Sequence, residues 1–383
     1  MSPNPLIVGV RRFWAEWGPA AEVFLLTRLP LLGLAFLAEV AIPGREGPGF
    51  YHLAPGNIWL DVWARWDSGF YIEIARQGYS YYLGEPASVA FFPLYPLLIQ
   101  LLGAAVGSPL LAGVLLSNLC FALALGVLWR LCVLELGRAA ARRALFYLAA
   151  FPTAFFYSAV YTESLFLLLS LLVFYHARRG NWAWATLFCA LASSSRIVGF
   201  LLVLVLVLEY LRVSPGVRGW PALLGMGLLG GSGLWSYMIF LWARFGDPLA
   251  FWTVQVSFNR ENLGPLAAIW RDLRPLLEQN WLTGPVGWNV PLDLLAAGAG
   301  FALGVVAWRR LGASYGVYCI LSLLIPLWSG TGSLSRYVVV LFPLFMILGL
   351  WGRRSSLDAA LRIVLPLMMG LLLALFVNWY FVA

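Results

Sequence analysis

Apolar runs of about 18 residues or more recur from one end of the chain to the other. A run of that length is what a helix needs to cross the hydrocarbon of a bilayer, and a soluble fold has no core large enough to bury so many. Composition agrees: 62% of the residues are hydrophobic and 11% charged, against roughly 45–50% and 25% in a soluble domain. The expectation is an all-α fold, a polytopic transmembrane helical bundle. About 11 spans are placed near 20–41, 109–136, 144–158, 161–177, 182–197, 198–211, 220–243, 289–308, 312–328, 335–352 and 358–382. The opening "MSPNPLIVGV" is followed by Arg11 and Arg12, and the first long apolar run starts only near Ala21. The first span is therefore expected to be retained rather than cleaved as a signal. One integral membrane domain over 1–383 accounts for the whole sequence.

All 25 basic residues are arginine. The lack of lysine excludes a P-loop lysine, a Schiff base and a lysine general base. His52 and His176, the only histidines, lie far apart, and Cys120, Cys132, Cys189 and Cys319 sit in apolar segments without C-x-x-C spacing. Neither a structural zinc site nor a disulfide framework is expected. The net charge of +8 is explained by topology and requires no nucleic-acid partner. With the N-terminus inside, fifteen arginines, from Arg11 and Arg12 through Arg138, Arg142 and Arg143 to Arg362, fall at cytoplasmic ends. Nine fall outside, and Arg28 lies within the first span. This is the positive-inside bias. It also decides how to read "FFPLYPLLIQLLGAAVG" (91–107): counted as a span, it would put the Arg138–Arg143 cluster outside, so it is read as a helix lying in the outer interface.

Two long non-cytoplasmic segments follow, at about 42–107 and 244–289, rich in tryptophan, tyrosine and charge. They hold most of the acidic residues: Glu46, Asp61, Asp67, Glu73, Glu85, Asp247, Glu261, Asp272 and Glu278. Chemistry is expected on this outer face, because polar side chains collect there.

The stretch "ARWDSGFYIEIARQGY" (64–79) sets a carboxylate among aromatic residues. Read as one helix from about Trp59 to Arg76, it places Trp59, Trp63, Trp66, Phe70 and Ile74 on one arc, with Arg65 and Arg76 off it. The segment would then be an amphipathic interfacial helix. Asp67 falls at the edge of the greasy face, partly desolvated, which raises a carboxylate's basicity. A second reading is that Asp67 caps a helix starting at Ser68, with Gly69 marking the break. The two are compatible, since a cap can hold a catalytic carboxylate rigidly, and an ionisable group at membrane depth is costly enough to suggest function.

"WDSGFYIEIARQGY" followed by "VAFFPLYPLL" resembles the signature of PIG-V-type mannosyltransferases, polytopic glycosyltransferases of the GT-C class. The segments 151–200 and 332–345 ("GSLSRYVVVLFPLF") also resemble that family. The resemblance implies a GT-C-like bundle and a catalytic aspartate in the first outer loop, here Asp67. It implies a polyprenyl or dolichyl phosphate sugar as donor, with mannose the sugar usual in the family, and a lipid-linked or glycolipid acceptor. The compact, lysine-free and arginine-rich chain suggests a prokaryotic member in the cell membrane, its active site extracytoplasmic; in a eukaryote the endoplasmic reticulum membrane would take that place.

Transfer from a lipid phosphate sugar to an alcohol requires a base, for which Asp67 is the candidate, and cationic groups for the leaving phosphate. Attack opposite the phosphate inverts the anomeric centre without a covalent intermediate. Guanidinium binds phosphate in a forked geometry. Arg336, after the Gly/Ser turn of "GSLSRY" whose N–H groups could also cradle an anion, and Arg196 in "SSSRIVG" are the donor-phosphate candidates. Their alternatives are a snorkelling interfacial arginine and a structural partner of Glu163. Glu163 either partners a helix dipole or orients Arg196 or a sugar hydroxyl. Trp66, Tyr71 and Tyr161 are sugar-stacking candidates or interfacial anchors. Asn259 and Arg260, with Glu261, are acceptor-contact candidates or a solvated loop. No D-x-D occurs, which disfavours a nucleotide-sugar donor. No cofactor is required; a divalent metal is not favoured, although Asp67, Glu73 and Glu85 carry suitable oxygens. The competing function is a lipid or glycolipid transporter or flippase using Arg28, Arg196 and Glu163 as a pathway.

Overall fold

The computed structural model describes residues 5–45, 50–82, 84–213, 219–278 and 289–382, with side chains from 14 on except 15 and 276. Glu46 and Arg218, and the side chains of Arg11 and Arg12, thus lie outside the described residues, as does 279–288 of the second outer segment. The described residues form helices and connecting turns with no strand. In order these are α1 (Pro5–Ala41), α2 (Ile58–Asp61), α3 (Ser68–Gln77), α4 (Leu94–Val106), α5 (Pro109–Leu136), α6 (Arg138–Ala149), α7 (Glu163–Arg178), α8 (Trp182–Ser193) and α9 (Leu201–Val213). They continue with α10 (Trp220–Gly230), α11 (Ser232–Phe245), α12 (Ala250–Thr253), α13 (Pro265–Glu278), α14 (Asn289–Leu311), α15 (Ala313–Leu327), α16 (Leu334–Val339), α17 (Phe342–Trp351) and α18 (Ser355–Val377).

The 28-residue α5 is the central post. Pro109 opens it and the Ser108 hydroxyl accepts from Leu111 N–H (3.3 Å), which satisfies one of the donors a helix start leaves free. α1, α4, α6 and α7 all pack on it. α4 ends at Gly107 in the left-handed conformation (φ 74°), so the chain reverses at once into α5. At 13 residues α4 is too short to cross a bilayer.

Four of the described helices are long and apolar enough to cross a membrane: Glu16–Ala41, Pro109–Leu136, Asn289–Leu311 and Ser355–Val377. α10 and α11 together make a fifth, bent by 46°. Three of the expected continuous spans are broken, 220–243 at this bend and two others. In place of 144–158, α6 stops at Ala149 and an irregular stretch with a 3-10 turn at Ala154–Tyr157 leads into α7. Pro152 lies just past the break and cannot donate a helical N–H. In place of 335–352, α16 and α17 are separated, with Pro343 in the first turn of α17.

Irregular backbone inside a bundle needs internal partners, and the chain supplies them. Arg28, wholly within α1, donates to the carbonyls of Ala149 and Ala154. Thr153 Oγ1 donates to Ser335 O (3.1 Å) and Tyr157 Oη to Val339 O (2.6 Å). Arg28 is thus the bracket for the α6–α7 break, which explains a charge in the first span without a transport pathway. Replacing it by methionine leaves two buried carbonyls unpaired, at about 1–3 kcal/mol each. Arg28→Met is expected to lower the thermal unfolding midpoint in detergent markedly, whereas the exposed Arg76→Met leaves it unchanged.

Candidate active site

The long amphipathic helix expected over Trp59–Arg76 is absent. α2 ends at Asp61, the chain turns through 62–67, and α3 starts at Ser68. The cause is Arg65, expected off the greasy arc and found fully buried (0% exposed). Its guanidinium donates to Asp61 O and Asp61 Oδ2 (both 2.7 Å), to Val377 O (2.8 Å) and to Glu39 (3.2 Å). Tyr161 Oη donates to Arg65 O (2.9 Å). Asp61 is fixed in turn by Ala54 N–H (2.7 Å) and His52 Nδ1 (2.6 Å). Trp63 accordingly faces the core, and Trp66 is held at φ 54° against Phe50, Trp379 and Phe381. Gly69 is required for contact: a Cβ there would lie 1.6 Å from the Tyr51 hydroxyl.

Asp67 therefore stands at the start of α3 on a tightly braced turn. It occupies the N-cap position but makes no capping bond with its side chain. Its Oδ2 accepts from Arg336 Nη1 (2.8 Å) instead, and Oδ1 has no donor among the described residues. Asp67, expected at the edge of the greasy face and partly desolvated, is 30% exposed and ion-paired to Arg336. It opens on a cavity of about 300 Å³ that Tyr71, Phe91, Arg196, Arg260, Arg336 and Tyr337 also line.

Behind the cavity Glu163, the first residue of α7, is completely buried. Its Oε1 receives Arg196 Nη1 (2.9 Å), Arg336 Nε (3.2 Å) and Arg336 Nη2 (3.1 Å). Both arginines are packed on rings: Arg336 over Tyr161 and Phe156 (4.7 and 5.0 Å), Arg196 over Tyr337 (4.9 Å). Sequence positions 67, 163, 196 and 336 thus meet in one constellation, and Tyr161, a sugar-stacking candidate, offers its face to Arg336. Trp66 packs in the aromatic cluster beside Asp67, and Tyr71 lines the cavity, edge-on to Phe91, Tyr95 and Tyr161.

The Gly/Ser turn before Arg336 does not present its N–H groups to the cavity. Asp293 of α14, fully buried, accepts from Ser333 N (2.9 Å) and Ser335 N (2.8 Å). Asp272 of α13 accepts from Thr331 N (2.9 Å) and Thr331 Oγ1 (2.7 Å). The expected anion cradle is therefore already filled by two carboxylates, which fix the turn with Ser333 at φ 66°. Asn259 is exposed and left-handed (φ 57°), a turn residue between Phe258 and Arg260, both of which line the cavity. Among the described residues, Arg260 Nη2 donates to Gly332 O alone (3.2 Å). Among the described residues no three of His, Cys, Asp or Glu stand together as metal ligands.

Arg65, Asp61, His52, Asp272 and Asp293 were not singled out as site residues from the sequence. An arginine two positions before the aspartate, and acidic residues in "IWRD" and "PLD", were the available signals, but only the fold brings them to these turns.

Residues 52–213 match the model of a family described as mannosyltransferase (PIG-V). Among solved structures the chain is similar to ArnT from Cupriavidus metallidurans bound to undecaprenyl phosphate, with TM-score 0.52, 16% identity, and coverage of 86% of this chain and 60% of that one. The Archaeoglobus fulgidus oligosaccharyltransferase in the apo form is also similar, at TM-score 0.47, 15% identity, and coverage of 92% of this chain and 56% of that one. The chain spans less than two thirds of the length of either. No curated protein sequence matches it. The fold is thus similar to that of ArnT, and the match to the PIG-V mannosyltransferase model covers a segment that holds Asp67, Tyr71, Tyr161, Glu163 and Arg196. Arg260 and Arg336 lie beyond it, as does 332–345.

The support beneath Asp67 has a pH signature. Burial alone would raise the carboxyl of Asp61, but the Ala54 N–H, His52 and Arg65 bring it below the usual aspartate range. A depressed carboxylate stabilises the fold above its unfolded value and loses that contribution as pH falls through the folded one. Asp61→Asn breaks a buried pair at a cost of about 3–5 kcal/mol. Its midpoint deficit against wild type is expected in full at pH 7 and should close below about pH 4, as followed by thermal unfolding in detergent across that range.

Proposed function

We propose that this chain is an inverting glycosyltransferase that moves a mannose from a polyprenyl-phosphate donor to a hydroxyl of a lipid-linked or glycolipid acceptor. It works in the cell membrane with the cavity on the extracytoplasmic side. The observation that carries the reading is the cavity's charge. Its charged lining is one carboxylate, Asp67, and three guanidiniums, Arg196, Arg260 and Arg336. Glu163 neutralises one cation from behind, and Asp293 is taken up by backbone amides. Guanidiniums thus outnumber carboxylates in the lining itself, the complement of a polyprenyl phosphosugar, a phosphodiester of charge −1. That ArnT of Cupriavidus metallidurans binds undecaprenyl phosphate supports a donor of this type. The positive-inside distribution of arginine supports the side assigned.

In this mechanism Asp67 accepts the acceptor's hydroxyl proton while the oxygen attacks the anomeric carbon. The bond from that carbon to the phosphate oxygen breaks on the opposite face, and the polyprenyl phosphate leaves with the electron pair. Its charge rises by one as Asp67 loses one, so the net charge of the site is constant through the step. Arg336 connects the two events. While it holds Asp67 Oδ2 at 2.8 Å the base is restrained; a donor phosphate that competes for its Nη1 frees the carboxylate. Base activity therefore follows donor binding, which guards the phosphosugar against water. Glu163 keeps Arg336 and Arg196 aimed, and Tyr71 and Phe91 offer apolar surface for the sugar. Trp66 and Asn259 serve as turn residues for Asp67 and Arg260.

The test is transfer from radiolabelled polyprenyl-phosphate mannose to lipid acceptors by purified protein in detergent. Asp67→Asn, nearly isosteric, is expected to lower kcat by about 10²–10⁴. Arg260→Gln is expected to raise KM for the donor by about tenfold or more, the worth of one charge-assisted hydrogen bond, with a smaller effect on kcat. Transfer by Asp67→Asn at the wild-type rate would rule the mechanism out.

A further inference from the structure

A second cavity, of about 510 Å³, lies apart from the one beside Asp67, where the end of α14 meets α17 and the start of α18. α14 connects the two regions: Asp293 in its first turns binds the 333–335 turn, and Arg310 lies in its last turn. At 1.5 Å per residue the two are roughly 26 Å apart, close to the thickness of the hydrocarbon layer. The second cavity is thus at the opposite end of the bundle.

Its walls are apolar, with Val306, Ile347 and Leu357 among them, and its polar lining is three arginines, Arg310, Arg353 and Arg354. All three are exposed, and none has a carboxylate partner among the described residues. The one acidic residue between Asp293 and the end of the chain is Asp358. It is held by Arg362 (2.9 Å) and by the Tyr147 hydroxyl. The nearby Glu209 and Glu135 are engaged by Arg178. Three guanidiniums at one apolar mouth without counter-ions form a site that lacks its anion.

We infer that this cavity binds an anionic phospholipid, its phosphate on Arg310, Arg353 and Arg354 and an acyl chain along Val306, Ile347 and Leu357. Guanidinium binds phosphate bidentately, and basic pockets between helices at one membrane surface take anionic headgroups. The apolar wall selects a lipid over a free anion, and three cations disfavour a headgroup that carries its own positive charge. The volume is that of a ligand site.

The experiment uses the full-length protein, delipidated in neutral detergent, and native mass spectrometry with added dioleoylphosphatidylglycerol or dioleoylphosphatidylcholine. Phosphatidylglycerol is expected to bind saturably and phosphatidylcholine not to be retained. At about 1 kcal/mol per arginine, each of R310Q, R353Q and R354Q should weaken binding about fivefold, and the triple variant about a hundredfold. The single variants keep the test decisive should the triple variant not fold. R76Q/R244Q/R274Q, which removes the same charge from exposed positions elsewhere, should bind as wild type does. The inference is overturned if phosphatidylcholine is retained equally, if the single variants bind like wild type, or if the control loses binding as they do. Displacement of phosphatidylglycerol by equimolar inorganic phosphate would likewise overturn it, by showing a free-anion site.

Discussion

A carboxylate that never reaches solvent organises the site. Glu163 sits at the start of α7 with two guanidiniums on one oxygen and no donor on the other among the described residues. Removing charges from water is expensive, and a buried pair repays the cost only when geometry and further bonds are good. Here the aromatic faces of Phe156, Tyr161 and Tyr337 enclose the arginines, so neither can swing away to water. The result is two forks held at fixed positions before any substrate arrives, and preorganisation of this type is the largest contribution an enzyme makes to stabilising developing charge.

The backbone around that carboxylate is irregular, and this follows from the same requirement. A continuous helix through 144–158 would have carried its side chains past the cavity with every carbonyl locked in the helix ladder. The break after Ala149 lets residues 150–162 fold back under Asp67, where Val160 N–H reaches Trp63 O (2.9 Å). Arg28, Thr153 and Tyr157 make that detour tolerable inside a bundle.

Much of this was legible in the sequence. Apolar runs announced the bundle, and the absence of lysine directed attention to the arginines. The surroundings of Asp67 marked that residue, and the positions of Arg196, Glu163 and Arg336 beside apolar runs marked theirs. What periodicity could not reveal was tertiary. A 100° step assigns Arg65 to a polar face because it assumes an unbroken helix, and that assumption fails where a side chain is drawn inward by Asp61, Glu39 and Val377 O. The "GSLSRY" turn looked like an anion cradle for a similar reason: Asp272 and Asp293, about 60 and 40 positions earlier, occupy its amides, and no local pattern links them. Span counting failed at Pro152 and Pro343, where hydropathy continues but the helix does not.

Among the described residues, four other than glycine adopt the left-handed conformation: Trp66, Asn259, Ser333 and Trp379. The first three directly precede or nearly precede Asp67, Arg260 and Arg336, and Trp379 packs on Trp66. Each such residue stores of order 1–3 kcal/mol, concentrated around one small volume. Breeding this protein for heat tolerance with no demand on turnover would erode these positions first, because relaxing them is the cheapest stabilisation on offer. The molecule's fragility and its usefulness are therefore located in the same few peptide units.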